Sequence, residues 1–459
     1  MRKKRLNIII YAIAFAIFFI GITYPIKLID IKPNETEQTV SLEDRLYITQ
    51  HLCPATYSEI SQTMKRYCAV TGFQGVVMVV YYGDIIYNEA NGYDCPGCSK
   101  KLLNTNMSFQ LASVSKQFTA AAIMKLKSED MLDYTDRVSK YITDFPYEEV
   151  TIQQLLNHTG GLSNYMYLLE KVWNNDSILP DNQTLMRIIA EEKMSPYFTP
   201  GKRYDYSNTG YAVLASVVES ITHESFPEYM EENFFAPLDM KNTFIGIGGN
   251  QNIKPLDGFA RRRNRLYKIE PSVHDGIVGD KGIYTTSWDM YKWDKALYEY
   301  SALPQEVLDE AFTPTHTSKN RTIPYGYGFR IKKIDNNTAI YHNGIWEGFR
   351  TSYHRFPEYK NTILVLNNNE FNVGNIPKKI APLINTKQVE NIETRFVINA
   401  VLDDNFKVAN YAYCLAKHEN KLNDTLYNYV QQYLWGKKYY TVFNILNKLE
   451  QEQQSTFIN

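Results

Sequence analysis

The sequence predicts an α+β domain in which an antiparallel sheet is flanked by helices and carries an inserted helical subdomain. Two observations predict it: strand-like runs stand at both ends of the domain, and the residues between them follow helical periodicity. An antiparallel sheet built from the N-terminal and C-terminal thirds of the domain, with the helices inserted between them, satisfies this order.

The predicted elements are taken in chain order. Residues 76–82 and 85–87 are rich in β-branched and aromatic side chains and flank a Gly83-Asp84 turn, which predicts a β-hairpin. From Ser113 onward apolar residues recur at helical spacing until about residue 127. Further helices are predicted over residues 211–221, 226–235 and 374–383. Short strands are predicted over residues 325–331, 339–341, 351–354 and 361–366.

The N-terminus predicts export of the domain. Basic residues at positions 2–5 precede an uncharged apolar run from Leu6 to Ile22, which is on the short edge of what a helix needs to cross a bilayer. The basic flank keeps the N-terminus in the cytoplasm and the rest of the chain outside, in the periplasm or at the cell exterior. A poor cleavage site favours an uncleaved membrane anchor over a cleaved signal peptide.

Four regions are therefore expected along the 459 residues. They are a membrane anchor or signal segment at 1–24, a linker at 25–59, the main domain at 60–385 and a helical C-terminal appendix at 386–459. The formal net charge of −1 argues against a nucleic-acid partner, which needs a clustered basic excess.

The cysteines fit an exported chain. Cys95 and Cys98 flank a Pro-Gly turn, which favours a structural disulfide, with free thiols or a metal site as alternatives. A zinc site needs two further ligands at suitable spacing, and none stands nearby. We therefore expect no metal and no cofactor.

Ser113-Val-Ser-Lys116 is the first candidate for catalysis. Residues three apart are neighbours on a helix, so the serine hydroxyl lies beside the lysine amine. A serine nucleophile needs an adjacent base, and burial lowers the pKa of a lysine enough for that role. The helix N-terminus also offers the serine N–H to a developing oxyanion. The alternative is a capping serine with a surface lysine.

Tyr206-Ser-Asn208, ahead of a predicted helix, is the second candidate. A tyrosine near a lysine can move a proton between nucleophile and leaving group, and an asparagine can bind a substrate amide. The same Y-x-N pattern at Tyr359 lies between two predicted strands, where turn formation explains it.

His342-Asn343-Gly344 is the third candidate. The H-x-G pattern also occurs at His158 and His274, but His342 follows a predicted strand and therefore lies on a sheet edge. Such an edge binds an extended substrate by strand addition, and the backbone N–H near Ile345 is a candidate second oxyanion donor. An ordinary histidine at a strand end is the alternative.

Together these motifs resemble the serine β-lactamase/penicillin-binding protein superfamily, in the branch of class C β-lactamases, D,D-carboxypeptidases and esterases. That branch carries S-x-x-K, Y-x-N and a K-T-G or H-x-G motif in this order. The stretches 155–162, 198–211 and 279–286 resemble it too, and the likeness covers about residues 60–385. It implies a β-lactamase/transpeptidase-like fold.

The resemblance also implies roles. Ser113 forms an acyl-enzyme while Lys116 and Tyr206 handle its proton. Asn208 holds the substrate amide, and His342 and Gly344 line the substrate edge. The N–H groups of Ser113 and Ile345 form the oxyanion hole. Histidine replaces the lysine of true class C β-lactamases, and Asn343 stands where threonine or serine is usual, so we expect inefficient β-lactam hydrolysis.

Three hypotheses for function remain. The first is an extracytoplasmic serine hydrolase acting on D-amino-acid peptides of cell-wall type, like a D,D-peptidase. The second is a carboxylic ester hydrolase using the same residues. The third is a penicillin-binding or sensor module without turnover, with the appendix as its interaction surface. The complete set Ser113, Lys116 and Tyr206 argues against a degenerate site, while the substrate and the oligomeric state stay open.

Overall fold

A six-stranded antiparallel sheet forms the centre of the computed structural model, which describes residues 41–95, 101–175, 178–246, 253–263, 265–334 and 336–385. The strands of the described chain are β1 (Gly75–Tyr81), β2 (Asp84–Asn91), β3 (Phe109–Gln110), β4 (Phe244–Ile245), β5 (Phe259–Arg262), β6 (Arg265–Lys268), β7 (Ile283–Thr285), β8 (Thr315–His316), β9 (Thr322–Ile323), β10 (Arg330–Ile334), β11 (Asn337–Trp346), β12 (Phe349–Phe356) and β13 (Asn361–Asn367). The order of the strands in the six-stranded sheet is β10-β11-β12-β13-β1-β2.

The two ends of the domain meet in the middle of this sheet. Strand β1 pairs with β13, with Val77 opposite Val365, and with β2 across the predicted hairpin. Every residue of β1 is buried because helices cover both faces of the sheet. Successive side chains alternate between the faces: Val76 joins the larger core, and Val77 joins the smaller one.

Helices fill the space between the two halves of the sheet and cover its faces. They are α1 (Leu42–Leu52), α2 (Pro54–Thr71), α3 (Lys116–Ser128), α4 (Ile152–Leu156), α5 (Tyr165–Val172), α6 (Asn182–Glu192), α7 (Asn208–Thr222), α8 (Phe226–Met230), α9 (Ser287–Glu299), α10 (Gln305–Ala311) and α11 (Asn375–Ile384). Helix α3 is buried along most of its length, which places its first turn inside the protein. The predicted α+β class with a β-lactamase/transpeptidase-like arrangement is confirmed.

The structure describes the predicted linker at 25–59 from residue 41 onward. Helices α1 and α2 occupy much of its described part, from residue 41 onward. The side chain of Arg45 lies 2.6 Å from Asp84 in a buried ion pair, which fastens α1 to the start of β2. This buried charge pair holds α1 against the sheet, and the domain boundary at residue 60 stays a prediction.

Two predicted elements differ in detail. The strand expected over 325–331 begins only at Arg330, because Gly328 adopts a positive φ of 79° and packs against the backbone of Lys116 and Gln117. The single helix expected over 226–235 is a short α-helix followed by a π-turn at Glu231–Phe235.

Some predictions fall outside the described residues. No helix among the described residues is long and apolar enough to cross a membrane. The predicted anchor at 1–24 and the appendix at 386–459 lie outside those residues. Cys95 is disulfide-bonded, which agrees with the structural disulfide favoured for it. Cys98 lies outside the described residues.

Candidate active site

Ser113 lies where strand β11 contacts the short turn that precedes the buried helix α3. It belongs to a 3-10 turn, Ala112–Ser115, and Ala112 before it has a positive φ of 50°. Residues in this left-handed region are held by their surroundings and are frequent at functional sites. A Cβ at Gly344 would collide with the Leu111 carbonyl and the Thr351 hydroxyl. Only glycine therefore lets β11 pass this close to Ser113.

Lys116 is the centre of the hydrogen-bonding pattern. Its Nζ atom lies 3.4 Å from Ser113 Oγ, 2.8 Å from Asn208 Oδ1 and 2.8 Å from the carbonyl oxygen of Asp280. Its side chain is 0% exposed. A neutral amine has two N–H bonds and one lone pair. Because Asn208 and Asp280 both accept, the lone pair is left for the Ser113 hydroxyl.

The electrostatics favour that neutral form. Burial lowers the pKa of Lys116 from 10.5 to about 7; the Asp280 carboxylate opposes this change and the Arg330 guanidinium adds to it. Desolvation disfavours the charged ammonium, so a substantial fraction of Lys116 is unprotonated at neutral pH. The predicted general base is therefore both close to the serine and suited to accept its proton.

The side chain of Tyr206 lies next to the Lys116 amine. Its ring centroid lies 5.0 Å from Lys116 Nζ and 5.0 Å from the Arg330 guanidinium. Burial raises the pKa of Tyr206, and its interaction with the Ser113 side chain only partly opposes that rise. The phenol is consequently protonated at rest. It is better suited to donate a proton or relay one than to act as the first base.

Asn208 is the first residue of α7, whose N-cap Ser207 accepts a hydrogen bond from the Gly210 N–H. The Asn208 carbonyl oxygen is occupied by Lys116. Its amide nitrogen donates to no group within the described residues, so it is available to a substrate carbonyl. The structure thus joins the first two sequence motifs in one contact.

The side chain of His342 is buried. Its Nε2 atom lies 3.2 Å from the Tyr325 hydroxyl and its Nδ1 atom lies 2.8 Å from the Asn343 carbonyl oxygen. Burial and the nearby Lys116 hold the pKa of His342 well below its usual range, so the imidazole is neutral. The imidazole holds the Tyr325 hydroxyl in place. His342 therefore contributes to a substrate-binding edge through its position in β11.

The edge itself is present. Strand β11 is interior over its first half, but its pairing with β10 ends at Tyr341 opposite Arg330. From His342 to Trp346 it has β12 on one side and, among the described strands, no partner on the other. Ile345 is 66% exposed there. The predicted sheet edge is thus a local one, beside Ser113.

His158 carries another of the three H-x-G patterns. Its Nδ1 atom accepts a hydrogen bond of 3.1 Å from the Ser207 N–H, and its ring lies 4.3 Å from that of Tyr206. Burial and Lys116 hold its pKa well below the usual range. His158 is neutral and holds the Tyr206-Ser207 segment in place.

Sequence reasoning missed two features of the site. The Arg330 guanidinium stacks on Tyr206 and lies 5.9 Å from the Tyr325 ring, yet it forms no ion pair with any described carboxylate. Behind Lys116, the buried Asp280 side chain accepts a hydrogen bond from Tyr165, and Tyr165 in turn accepts one from Lys281. Both features depend on long-range contacts, and neither has a local sequence signal.

A serine hydroxyl with a poised amine beside it, next to an open strand edge, is the arrangement of a serine acyl-transfer enzyme. Comparison with known proteins agrees. The family model described as Beta-lactamase matches residues 60–379. Penicillin-binding protein 4* of Bacillus subtilis (strain 168) is 31% identical over 316 residues, which are 65% of this chain and 68% of that protein. The chain therefore belongs to the β-lactamase family, within the superfamily of serine β-lactamases and penicillin-binding proteins.

Two further likenesses agree with this assignment. The putative penicillin-binding protein PbpX of the same Bacillus strain is 27% identical over 333 residues, covering 71% of this chain and 78% of that protein. The octameric penicillin-binding protein homologue from Pyrococcus abyssi has a TM-score of 0.62 at 23% identity and covers 74% of this chain and 81% of that one. The second likeness concerns the fold alone.

Proposed function

We propose that the protein is an extracytoplasmic serine hydrolase that cleaves peptides containing D-amino acids through an acyl-enzyme, in the manner of a D,D-peptidase. The observation that carries the proposal is the fully buried Lys116 amine, 3.4 Å from the Ser113 hydroxyl, with its pKa lowered to about 7. Burying a lysine amine costs folding stability, and the neutral form that burial favours is the form that a general base needs.

In the proposed reaction Lys116 accepts the Ser113 proton as Oγ attacks the substrate carbonyl. The developing oxyanion receives hydrogen bonds from the backbone N–H groups of Ser113 and Ile345. The departing amine takes a proton from Lys116, relayed through Tyr206, and the C–N bond breaks to leave an ester on Ser113. Water then attacks this ester by the same route, which frees the serine and the acid product.

Arg330 supports a substrate that ends in a carboxylate. Asn343 stands where the related enzymes carry threonine or serine, which weakens carboxylate recognition on the strand itself. Arg330 places a cation without a described carboxylate partner on the Tyr206 ring, 5.0 Å from its centroid. A guanidinium binds a carboxylate through two parallel hydrogen bonds. A peptide with a free C-terminal carboxylate therefore fits this site better than a neutral ester does.

The extracytoplasmic location rests on the N-terminal sequence. The basic residues at positions 2–5 and the apolar run from Leu6 to Ile22 direct the rest of the chain out of the cytoplasm, whether or not the segment is cleaved. Peptides containing D-amino acids, as in cell walls, lie on that side. The membrane contact of the predicted anchor is part of this proposal.

The first test is covalent labelling of the full chain with a fluorescent penicillin, comparing the wild type with Ser113→Ala. We expect a labelled wild type and an unlabelled variant. Release of D-alanine from an N-acylated peptide ending in D-alanyl-D-alanine is the second test, with the L,L-peptide as its control. Labelling without D-alanine release would favour a penicillin-binding module without turnover.

The same variants distinguish the carboxylic ester hydrolase from the proposed peptidase. Hydrolysis of a chromogenic ester that depends on Ser113, without penicillin labelling and without D-alanine release, would overturn the peptidase proposal and leave the esterase. Arg330→Gln adds a sharper comparison. It should reduce kcat/KM for the peptide about tenfold or more and change that for an uncharged ester much less, because only the peptide presents a carboxylate.

A further inference from the structure

A cavity of about 250 Å³ opens directly beside the catalytic centre, and Tyr206 and Asn208 form part of its wall. Its other walls include two tyrosines, Tyr167 from the first turn of α5 and Tyr197 from the loop after α6. Tyr167 is 63% exposed and Tyr197 is 52% exposed. Large aromatic side chains left this open around a concave surface mark a binding site.

Tyr197 is held in place although it is half exposed. Its backbone N–H donates to the Gly161 carbonyl over 2.8 Å, and its hydroxyl accepts from the Asn164 N–H over 3.1 Å. The loop cannot shift easily at this point, because Gly161 has a positive φ of 73° and packs against the Phe198 carbonyl. An aromatic ring fixed before binding loses little entropy when a ligand stacks on it.

The charges around the cavity are asymmetric. Asp205 is the only acidic residue that lines it, and no lysine, arginine or histidine does so among the described residues. Asp205 is exposed and pairs with Arg203 at 3.2 Å. Because Asp205 is already paired with Arg203, the described lining offers no free cation to an anionic ligand group, whereas a neutral planar group would find two exposed aromatic rings.

We infer that this cavity is the specificity subsite for the side chain of the residue whose carbonyl is attacked, and that it selects a neutral aromatic side chain. The inference rests on the proposed function, because it takes Ser113 as the nucleophile. Asn208 shares the wall of the cavity, and its amide nitrogen, which has no acceptor among the described residues, can hold the substrate backbone. A side chain projecting from that backbone residue enters between Tyr167 and Tyr197.

The test uses binding rather than turnover, so that it stands apart from the catalytic proposal. Full-length Ser113→Ala is titrated calorimetrically with N-acetyl-D-phenylalanyl-D-alanine and with N-acetyl-D-alanyl-D-alanine. We expect the phenylalanine ligand to bind about tenfold tighter, as aromatic stacking provides. In the same background Tyr167→Ala and Tyr197→Ala should remove most of that preference. Tyr197→Phe keeps the ring and the backbone hydrogen bond to Gly161 and should retain most of it.

Tyr267→Ala is the matched control, since Tyr267 is 48% exposed on β6 and does not line the cavity. Tyr167→Ala is expected to fold like the wild type, because the Tyr167 side chain is exposed and its hydroxyl makes no hydrogen bond within the described residues. Equal affinity for the two ligands, or a preference unchanged by both alanine variants, would overturn the subsite. Failure of the catalytic proposal would instead appear as wild-type protein without Ser113-dependent labelling or hydrolysis.

Discussion

Lys116 Nζ donates a hydrogen bond of 2.8 Å to Oδ1 of Asn208, which lies 92 positions further along the chain. This contact orients the amine and leaves its lone pair toward Ser113. A charge introduced at position 208 would therefore act directly on the protonation of Lys116. A substitution that keeps the shape of Asn208 and changes its charge therefore tests the geometry directly.

Asn208→Asp should suppress acylation at neutral pH. A carboxylate within hydrogen-bonding distance favours the ammonium form and raises the pKa of Lys116 by about 1–3 units. Below that pKa the base is protonated, so the acid limb of the pH profile for acylation should move upward by the same amount. Stopped-flow acylation between about pH 6 and 10 would measure the shift. Asn208→Ala is the control; it should weaken substrate binding without an upward shift of the limb.

Asp280→Asn should move the acid limb in the opposite direction. The Asp280 carboxylate raises the pKa of Lys116, while its backbone carbonyl, which accepts from Nζ, stays in the variant. Without the charge the pKa of Lys116 falls, and the base works at lower pH. The acylation profile would show this as a downward shift of the limb. An unchanged limb would mean that Asp280 acts only on the packing around Tyr165.

Lys116→Met should stabilise the protein at neutral pH. The unfolded lysine binds a proton up to about pH 10.5, whereas the folded one releases it near pH 7. The unfolded state thus binds more protons in this window, and lysine-dependent stability rises with pH by at most about 1.4 kcal/mol per unit. Denaturant unfolding at pH 7 and pH 9.5 would compare the two proteins. Equal pH dependence in both would contradict the assigned pKa.

Gly344→Ala should lower both stability and acylation. The new Cβ would collide with the Leu111 carbonyl and the Thr351 side chain. The Leu111 carbonyl is a backbone group, so it cannot move aside as a flexible side chain could. We expect a loss of roughly 1–3 kcal/mol in the free energy of unfolding and slower acylation, since β11 is pushed from Ser113. Gly374→Ala is the control, because its nearest neighbour is a side-chain atom at 3.3 Å. A wild-type acylation rate in Gly344→Ala would show that this approach is not needed.

The parts of the site that were predictable from sequence are local. Ser113 and Lys116 stand one helical turn apart, and the hairpin at Gly83-Asp84 is predicted by alternating β-branched runs around a turn. The local context of each copy then indicated which to choose: Tyr359 lies in a predicted turn, and His342 follows a predicted strand. The structure brings all of them to one place.

The features that could not be predicted depend on contacts between distant segments. The residues of α1 read as a polar tether because the partner that buries Arg45 is Asp84, 39 positions away. The Tyr-Gly-Tyr-Gly run at 325–328 reads as a strand, but the turn at Gly328 sends Tyr325 toward His342. Likewise, the role of Arg330 appears only once Tyr206 lies beneath it.

The most direct test of the central claim is single-turnover acylation of Lys116→Ala at pH 7, measured beside the wild type with the same penicillin or peptide. We predict a rate reduced at least about a hundredfold, as loss of a general base requires. Lys116→Arg should not restore it, because a guanidinium stays protonated. Near-normal acylation of Lys116→Ala would contradict this mechanism, since Ser113 would then have another base.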